Sequence, residues 1–306
     1  MKPRRWLAAV SLSAALLLFG AAADDDIPNI RVDVRLVRVV ATVKDASGAL
    51  VADLNKSEFT ILDNDAPQQI SIFERRTELP LSIALLVDCS GSTAKDLKFE
   101  TDSVSRFVHA VFREGNPEDS IGLYSFNYQV TQETPFVRNA GQLDRMLKNL
   151  HGTAGTSMYD AIYFAAHDLQ NRKGRKVVVI VTDGGDTTSS KSYQAALTAA
   201  QLADASMYPI LIVPIANDAG RNLGGEHALT TLAGGTGGRV FEPTLGESLD
   251  KAFSEILQEL RTQYFLGFYP KNVPLTKDRF HHLELRIARP GLQILTRNGY
   301  YGEAQK

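Results

Sequence analysis

Cysteine is almost missing from this chain: Cys89 stands alone among 306 residues. A single thiol closes no intramolecular disulfide, so the fold must be held by its apolar core rather than by covalent cross-links. An excess of positive charge is missing as well. Lys and Arg number 33 against 35 Asp and Glu, a balance that excludes general nucleic-acid binding through a basic surface. Beyond residue 23 no apolar run reaches the ~20 residues that span a bilayer. Neither a repeat of fixed period nor a low-complexity tract is present. With 44% hydrophobic residues, the chain reads as a globular protein with room for one large domain, or a medium one plus a small one.

The N-terminus differs from the rest. Lys2, Arg4 and Arg5 precede an apolar run from Leu7 to Phe19, and Gly20 to Ala23 are all small. This order is that of a secretory signal peptide over residues 1–23, with cleavage expected near Ala23; the run is short for a membrane anchor. No Cys follows it to carry a lipid. Cleavage would remove three basic residues and leave 30 against 35 acidic ones, a mildly acidic chain, secreted or periplasmic.

Three regions follow. Over residues 28–79 the pattern is β: "IRVDVRLVRVVATV" alternates, changing phase near Leu36 as a bulge would require, and turn signals at "KDASG" and Asp63 to Pro67 separate further short strands. Over residues 81–261 the near-continuous apolar strands "LSIALLVD", "SIGLYSF", "KVVVIVTD" and "YPILIVPI", with "GRVFE" after them, alternate with helical stripes. The stripes are Val104, Phe107, Val108, Val111; Ile162, Ala165, Ala166, Leu169; and Leu249, Phe253, Ile256, Leu257, Leu260. Strands alternating with helices predict an α/β fold, a doubly wound and mostly parallel sheet with helices on both faces. Residues 262–301 return to β, in "TQYFLGFYP", "FHHLELRIA" and "LQILTRNGYY". Neither β flank offers enough strands to stand alone, so the two should combine into one small sandwich-like domain built from both chain ends.

Ligand sites in an open parallel sheet form at the carboxyl ends of the strands. "LLVDCSGST" puts Asp88 at such an end, and alternation in extended chain lets Asp88, Ser90 and Ser92 converge while Cys89 faces the core. One carboxylate and two hydroxyls make an all-oxygen set suited to a hard divalent cation. "VVVIVTDGGDT" ends another strand on Asp183, and "HGTAGTSMYDAI" places Thr156 in a Gly-containing loop at a helix start. D-x-S-x-S at Asp88, Ser90 and Ser92, with Thr156 and Asp183 following in order, resembles the metal-ion-dependent adhesion site of von Willebrand factor type A domains. The resemblance covers the whole α/β unit. The exported architecture, the preceding β segment and the tail "QYFLGFYP" are also similar to the von Willebrand factor A-related proteins of acidobacteria.

That resemblance implies Mg²⁺, with Mn²⁺ or Ca²⁺ as alternatives, held by Ser90, Ser92 and often Thr156, with Asp88 and Asp183 close by or bonded through water. It implies a protein partner that presents an Asp or Glu carboxylate to the cation, in adhesion or assembly, and no enzymatic turnover. Asp160 and Asp186 are candidates for outer groups around the ligands, or for capping or solvated carboxylates. Thr156 has an alternative reading as a helix N-cap, a role the neighbouring Ser157 can fill. His281 and His282 point to opposite faces of a strand and do not chelate one metal. "LAGGTGG", residues 232–238, lacks the Lys and the preceding strand of a phosphate loop and reads as a turn before "GRVFE". The competing functions are a metal-dependent hydrolase, which would need a general base beside the metal, and a structural envelope protein with a non-functional site. No Glu or His adjoins the three motif segments in a manner that suggests a base.

Overall fold

A computed structural model describes residues 36–75, 78–212, 222–243, 247–274, 276–277 and 279–302. The signal-like segment, the cleavage position near Ala23 and the expected change of strand phase lie outside the described residues.

The α/β unit opens with β5 (Leu81–Asp88), preceded in the chain by β1 (Val37–Lys44), β2 (Phe59–Asp63), β3 (Ala66–Gln68) and β4 (Ile70–Glu74). It continues through α1 (Leu97–Glu114), β6 (Ser120–Phe126), β7 (Val130–Val137), α2 (Ala140–Lys148), α3 (Met158–Leu169) and β8 (Arg175–Thr182). α4 (Tyr193–Leu202), β9 (Ala205–Leu211), α5 (Leu223–Thr236) and α6 (Glu247–Thr262) complete it. The sheet order is β7-β6-β5-β8-β9, parallel except for β7, an antiparallel edge strand that the sequence pattern did not signal.

Both faces of the sheet are covered, which is why β5 reads as unbroken apolar sequence. Leu81, Ile83, Leu85 and Val87 face the core beneath α1, α2 and α6, whereas Ala84 and Leu86 face the core beneath α3, α4 and α5. Truncating one of these fully buried side chains, as in Leu85→Ala, costs about 2–5 kcal/mol. All three helical stripes expected from the sequence are buried as written.

"GRVFE" departs from expectation. It forms no strand, only a single parallel bridge between Phe241 and Ile210, and residues 232–236 close α5 instead of turning. α5 ends at Gly237, whose φ of +85° favours glycine, and a Cβ there would meet the Arg297 backbone nitrogen at 2.7 Å.

After α6 come β10 (Tyr264–Phe268), β11 (Phe280–Ile287), β12 (Gln293–Thr296) and β13 (Gly299–Tyr301). Two antiparallel sheets, β12-β1-β10-β4 and β13-β11-β2-β3, enclose one core that includes Val39, Ala41, Ile61, Tyr264, Leu266 and Leu285. The sandwich is therefore composite, each sheet mixing strands from both chain ends. The inward positions of β1 are Val37, Val39, Ala41 and Val43, the phase expected after Leu36. "LQILTRNGYY" is two strands rather than one, because Arg297 leaves the first sheet to engage Asp204 and the Arg38 carbonyl. The sandwich abuts the amino end of the parallel sheet: Gln263 donates to Tyr208 Oη (3.0 Å) and Thr42 Oγ1 (3.3 Å), and Lys44 pairs with Glu259 of α6 (2.7 Å). The opposite, carboxyl end is left for the site.

Candidate functional site

The chain runs β5-α1-β6 to one side of β5 and later returns as β8 on the other, with Val87 paired to Val181. The strand order thus reverses between β5 and β8, where such sheets open a crevice. Asp88 ends β5 and Asp183 follows the last residue of β8.

Three loops are knit together there. Asp88 is fully buried; Oδ1 accepts the Ser90 N–H (2.8 Å) and Oδ2 accepts the Thr182 hydroxyl (2.7 Å), which joins the first motif to the third. Thr93 folds the first loop back by donating to the Asp88 and Ser90 carbonyls. The Thr153 N–H donates to the Cys89 carbonyl (2.8 Å), which lays the middle loop beside the first. Thr156 receives the N–H groups of Thr187 and Thr188 on its carbonyl, tying the middle loop to the last. Gly155 is required in that loop: its φ is +85° and a Cβ would meet Tyr128 Cβ at 2.7 Å.

All five expected site residues therefore gather at one end of the sheet. Ser90 Oγ and Ser92 Oγ lie 3.0 Å apart. Asp183 Oδ1 and Thr156 Oγ1 flank a common point, lying 3.3 and 3.9 Å from the position of a Cβ built on Gly185. Asp160 and Asp186 stand around this set as clamps between loops. Asp186 accepts the Tyr159 N–H (3.1 Å) and the Ser189 hydroxyl (2.6 Å); Asp160 accepts the Ser190 and Lys191 N–H groups. Asp186 is thus the side chain that caps α3. Ser157, at the N-cap position, instead donates its hydroxyl to the Tyr128 carbonyl and lies within hydrogen-bond distance of the Thr188 hydroxyl.

The electrostatics are one-sided. Burial is the main reason the Asp88 carboxyl is pushed up to about 6, with the Asp183 charge adding to it against the hydrogen bonds from Thr182 and Ser90. Glu100, in the first turn of α1, was not among the expected residues. It is fully buried, neither carboxylate oxygen has a hydrogen-bond partner among the described residues, and burial followed by the charges of Asp88, Asp96 and Asp183 pushes it up to about 8. A signal for it did exist: Glu100 lies four residues before Val104, on the apolar stripe of α1. Cys89 faces the core, and burial pushes its thiol up to about 12, far from a nucleophile's range.

The donor set fits a hard cation. Octahedral Mg²⁺ with oxygen ligands at 2.0–2.1 Å places adjacent ligand oxygens about 3 Å apart, the spacing of the Ser90 and Ser92 hydroxyls. Among the described residues no three of His, Cys, Asp and Glu converge as metal ligands, so a cation here depends on hydroxyl oxygens.

Residues 83–185 match the sequence profile of the von Willebrand factor type A domain family. The vWF domain of the type V pili tip protein Mfa5 from Porphyromonas gingivalis superposes with a TM-score of 0.50 at 14% identity, covering 60% of this chain and 95% of that one. The α/β unit has a von Willebrand factor A-like fold. An aerotolerance-related membrane protein from Bacteroides fragilis (20% identity, 59% and 98% coverage, TM-score 0.45) and BatB from Bacteroides thetaiotaomicron (17%, 59% and 98%, 0.47) are also similar to it. No curated protein gives a significant sequence match. The composite sandwich is an addition to this A-like unit, and no helix among the described residues is long and apolar enough to cross a membrane.

Proposed function

We propose that the carboxyl end of the A-like unit is a metal-ion-dependent adhesion site, on which a partner protein docks an Asp or Glu carboxylate. Ser90, Ser92 and Thr156 would hold Mg²⁺, with Asp88 and Asp183 close by, and Mn²⁺ or Ca²⁺ could take its place. The observation that carries this reading is the 3.0 Å hydroxyl pair of Ser90 and Ser92, set beside carboxylates that no side-chain cation neutralises among the described residues. Mg²⁺ keeps exchangeable waters when neutral hydroxyls hold it, and a carboxylate is the natural group to displace one. Tyr128, 56% exposed beside the Gly155 loop, offers an aromatic contact at the rim. The pilus-tip setting of the Mfa5 domain agrees with an adhesive role outside the cell, as does the signal-like N-terminus. Kinship with the exported A-related proteins of acidobacteria is part of the same proposal.

Binding without turnover is favoured because Asp88 is locked by two hydrogen bonds and Cys89 is turned into the core, so neither is free to act as a base or nucleophile. Thermal melting with and without Mg²⁺ tests the reading. At ~100 times Kd the cation should stabilise the wild type by ~2.7 kcal/mol, and Asp88→Ala should fold yet lose that increment. The same variant should lose Mg²⁺-dependent capture of envelope proteins. A wild type whose melting is indifferent to Mg²⁺, Mn²⁺ and chelator overturns the proposal.

A further inference from the structure

Glu100 is the exception among the buried acids. Asp119 is fully buried and meets Arg261 (2.7 Å) and the Leu81 N–H (2.8 Å); Asp63 meets His281 and Tyr300; Glu259 meets Lys44 and Arg239. Glu100 has an exposure of 0% and two oxygens that no donor reaches among the described residues. An ionised carboxylate held this way is strongly disfavoured unless a positive charge answers it. The α1 N-terminus gives only a partial one. The side-chain charges that act on Glu100 belong to Asp88, Asp96 and Asp183, all negative, and two of these are the strand-end carboxylates of the proposed cation site. A cation held between β5 and β8 relieves all of them together. Among the described residues no three acidic side chains converge as ligands, so Glu100 does not form a carboxylate cage with Asp88 and Asp183.

We infer that Glu100 is an outer carboxylate of the cation site, a positioning residue whose charge is answered by the bound divalent cation without direct ligation. The inference rests on the cation-binding reading above. It gives the buried acid a purpose: the site gains attraction for a doubly charged ion at the expense of the ion-free fold.

Titration calorimetry of the full chain with Mg²⁺ tests it, alongside melting in chelator. Glu100→Gln keeps the shape and removes the charge, so it should weaken Mg²⁺ binding by about 10- to 100-fold. In chelator it should melt at or above the wild-type temperature. Glu100→Asp, which retains a charge, should recover part of the affinity. Should the glutamine variant fail to fold, Glu100→Leu fills the same apolar position and carries the same test. Wild-type binding with a glutamine variant within twofold of it overturns the inference alone, as does a variant that melts lower by the same amount with and without Mg²⁺. A wild type that binds no Mg²⁺ removes both this inference and the reading beneath it.

Discussion

At the amino end of the parallel sheet Asp119 is fully buried and held by Arg261; at the carboxyl end Glu100 is buried to the same degree and no donor among the described residues reaches it. The contrast extends along both edges. Arg175, at the start of β8, donates to the Leu79 and Leu260 carbonyls and to Gln263, and Glu259 is shared by Lys44 and Arg239. Each of these charged side chains has a protein partner at the end where the sandwich docks. At the other end the carboxyl groups of Asp88, Asp183 and Glu100 disfavour one another's ionisation, with no Lys, Arg or His paired to them among the described residues. One sheet thus solves burial of charge internally at one edge, whereas at the other the proposed cation would have to answer it.

The comparison can be broken most severely by removing the sandwich. Truncation before Thr262 deletes β10 to β13 and strips β1 of both its neighbours, so residues 37–75 should become readily cleaved in limited proteolysis. Continued protection of that segment would show that the chain ends fold separately. Next, Asp119→Ala should cost about 3 kcal/mol in denaturant melts, in Mg²⁺ and chelator alike, since it leaves Arg261 and the Leu81 N–H without their partner. Equal stability would deny that the amino end depends on its ion pair.

A gentler probe is pH. The carboxyls of Asp88 and Glu100 lie above their ordinary values, near 6 and 8, so in chelator the folded state holds protons that the unfolded state has released. Their contribution is complete below about pH 4 and is lost as pH rises toward 8, at about 1.4 kcal/mol per pH unit for each such group. Chelated protein should therefore lose stability between pH 5 and 8, and saturating Mg²⁺ should flatten the slope; a rising or flat profile in chelator contradicts the one-sided electrostatics. The smallest effect belongs to Asp186→Ala, which removes the cap of α3 and should cost about 1 kcal/mol by melting, whether or not Mg²⁺ is present.

Much of the α/β unit was legible because burial on both faces writes itself as unbroken apolar strands, and one-sided helices as stripes. The gathering of the five candidate residues was legible for a related reason: Asp88 and Asp183 close apolar strands, and the sheet brings those strand ends together. Other features were hidden where local pattern and tertiary placement part. β7, "VTQETPFV", is half polar because an edge strand faces water, and so gives no apolar run. "GRVFE" has strand composition but pairs only through Phe241, beside Pro209 and Ile210. Glu100 sits on a stripe whose neighbours spell a plain amphipathic helix, and only the folded chain reveals its depth and its want of a partner among the described residues.

The composite sandwich also sets a timetable. Val37 pairs with Phe268, 231 positions later, so at roughly 5–20 residues per second the ribosome takes on the order of 10–50 s to supply the partner of the first described strand. During that wait an apolar β segment has no neighbour to zip against, while every strand and helix of the A-like unit has already emerged. Assembly must then run from the middle outward, with the youngest residues of the chain closing over the oldest. The last strands act as a latch, and a nascent chain that stalls before them carries an open sheet edge ready to join another copy.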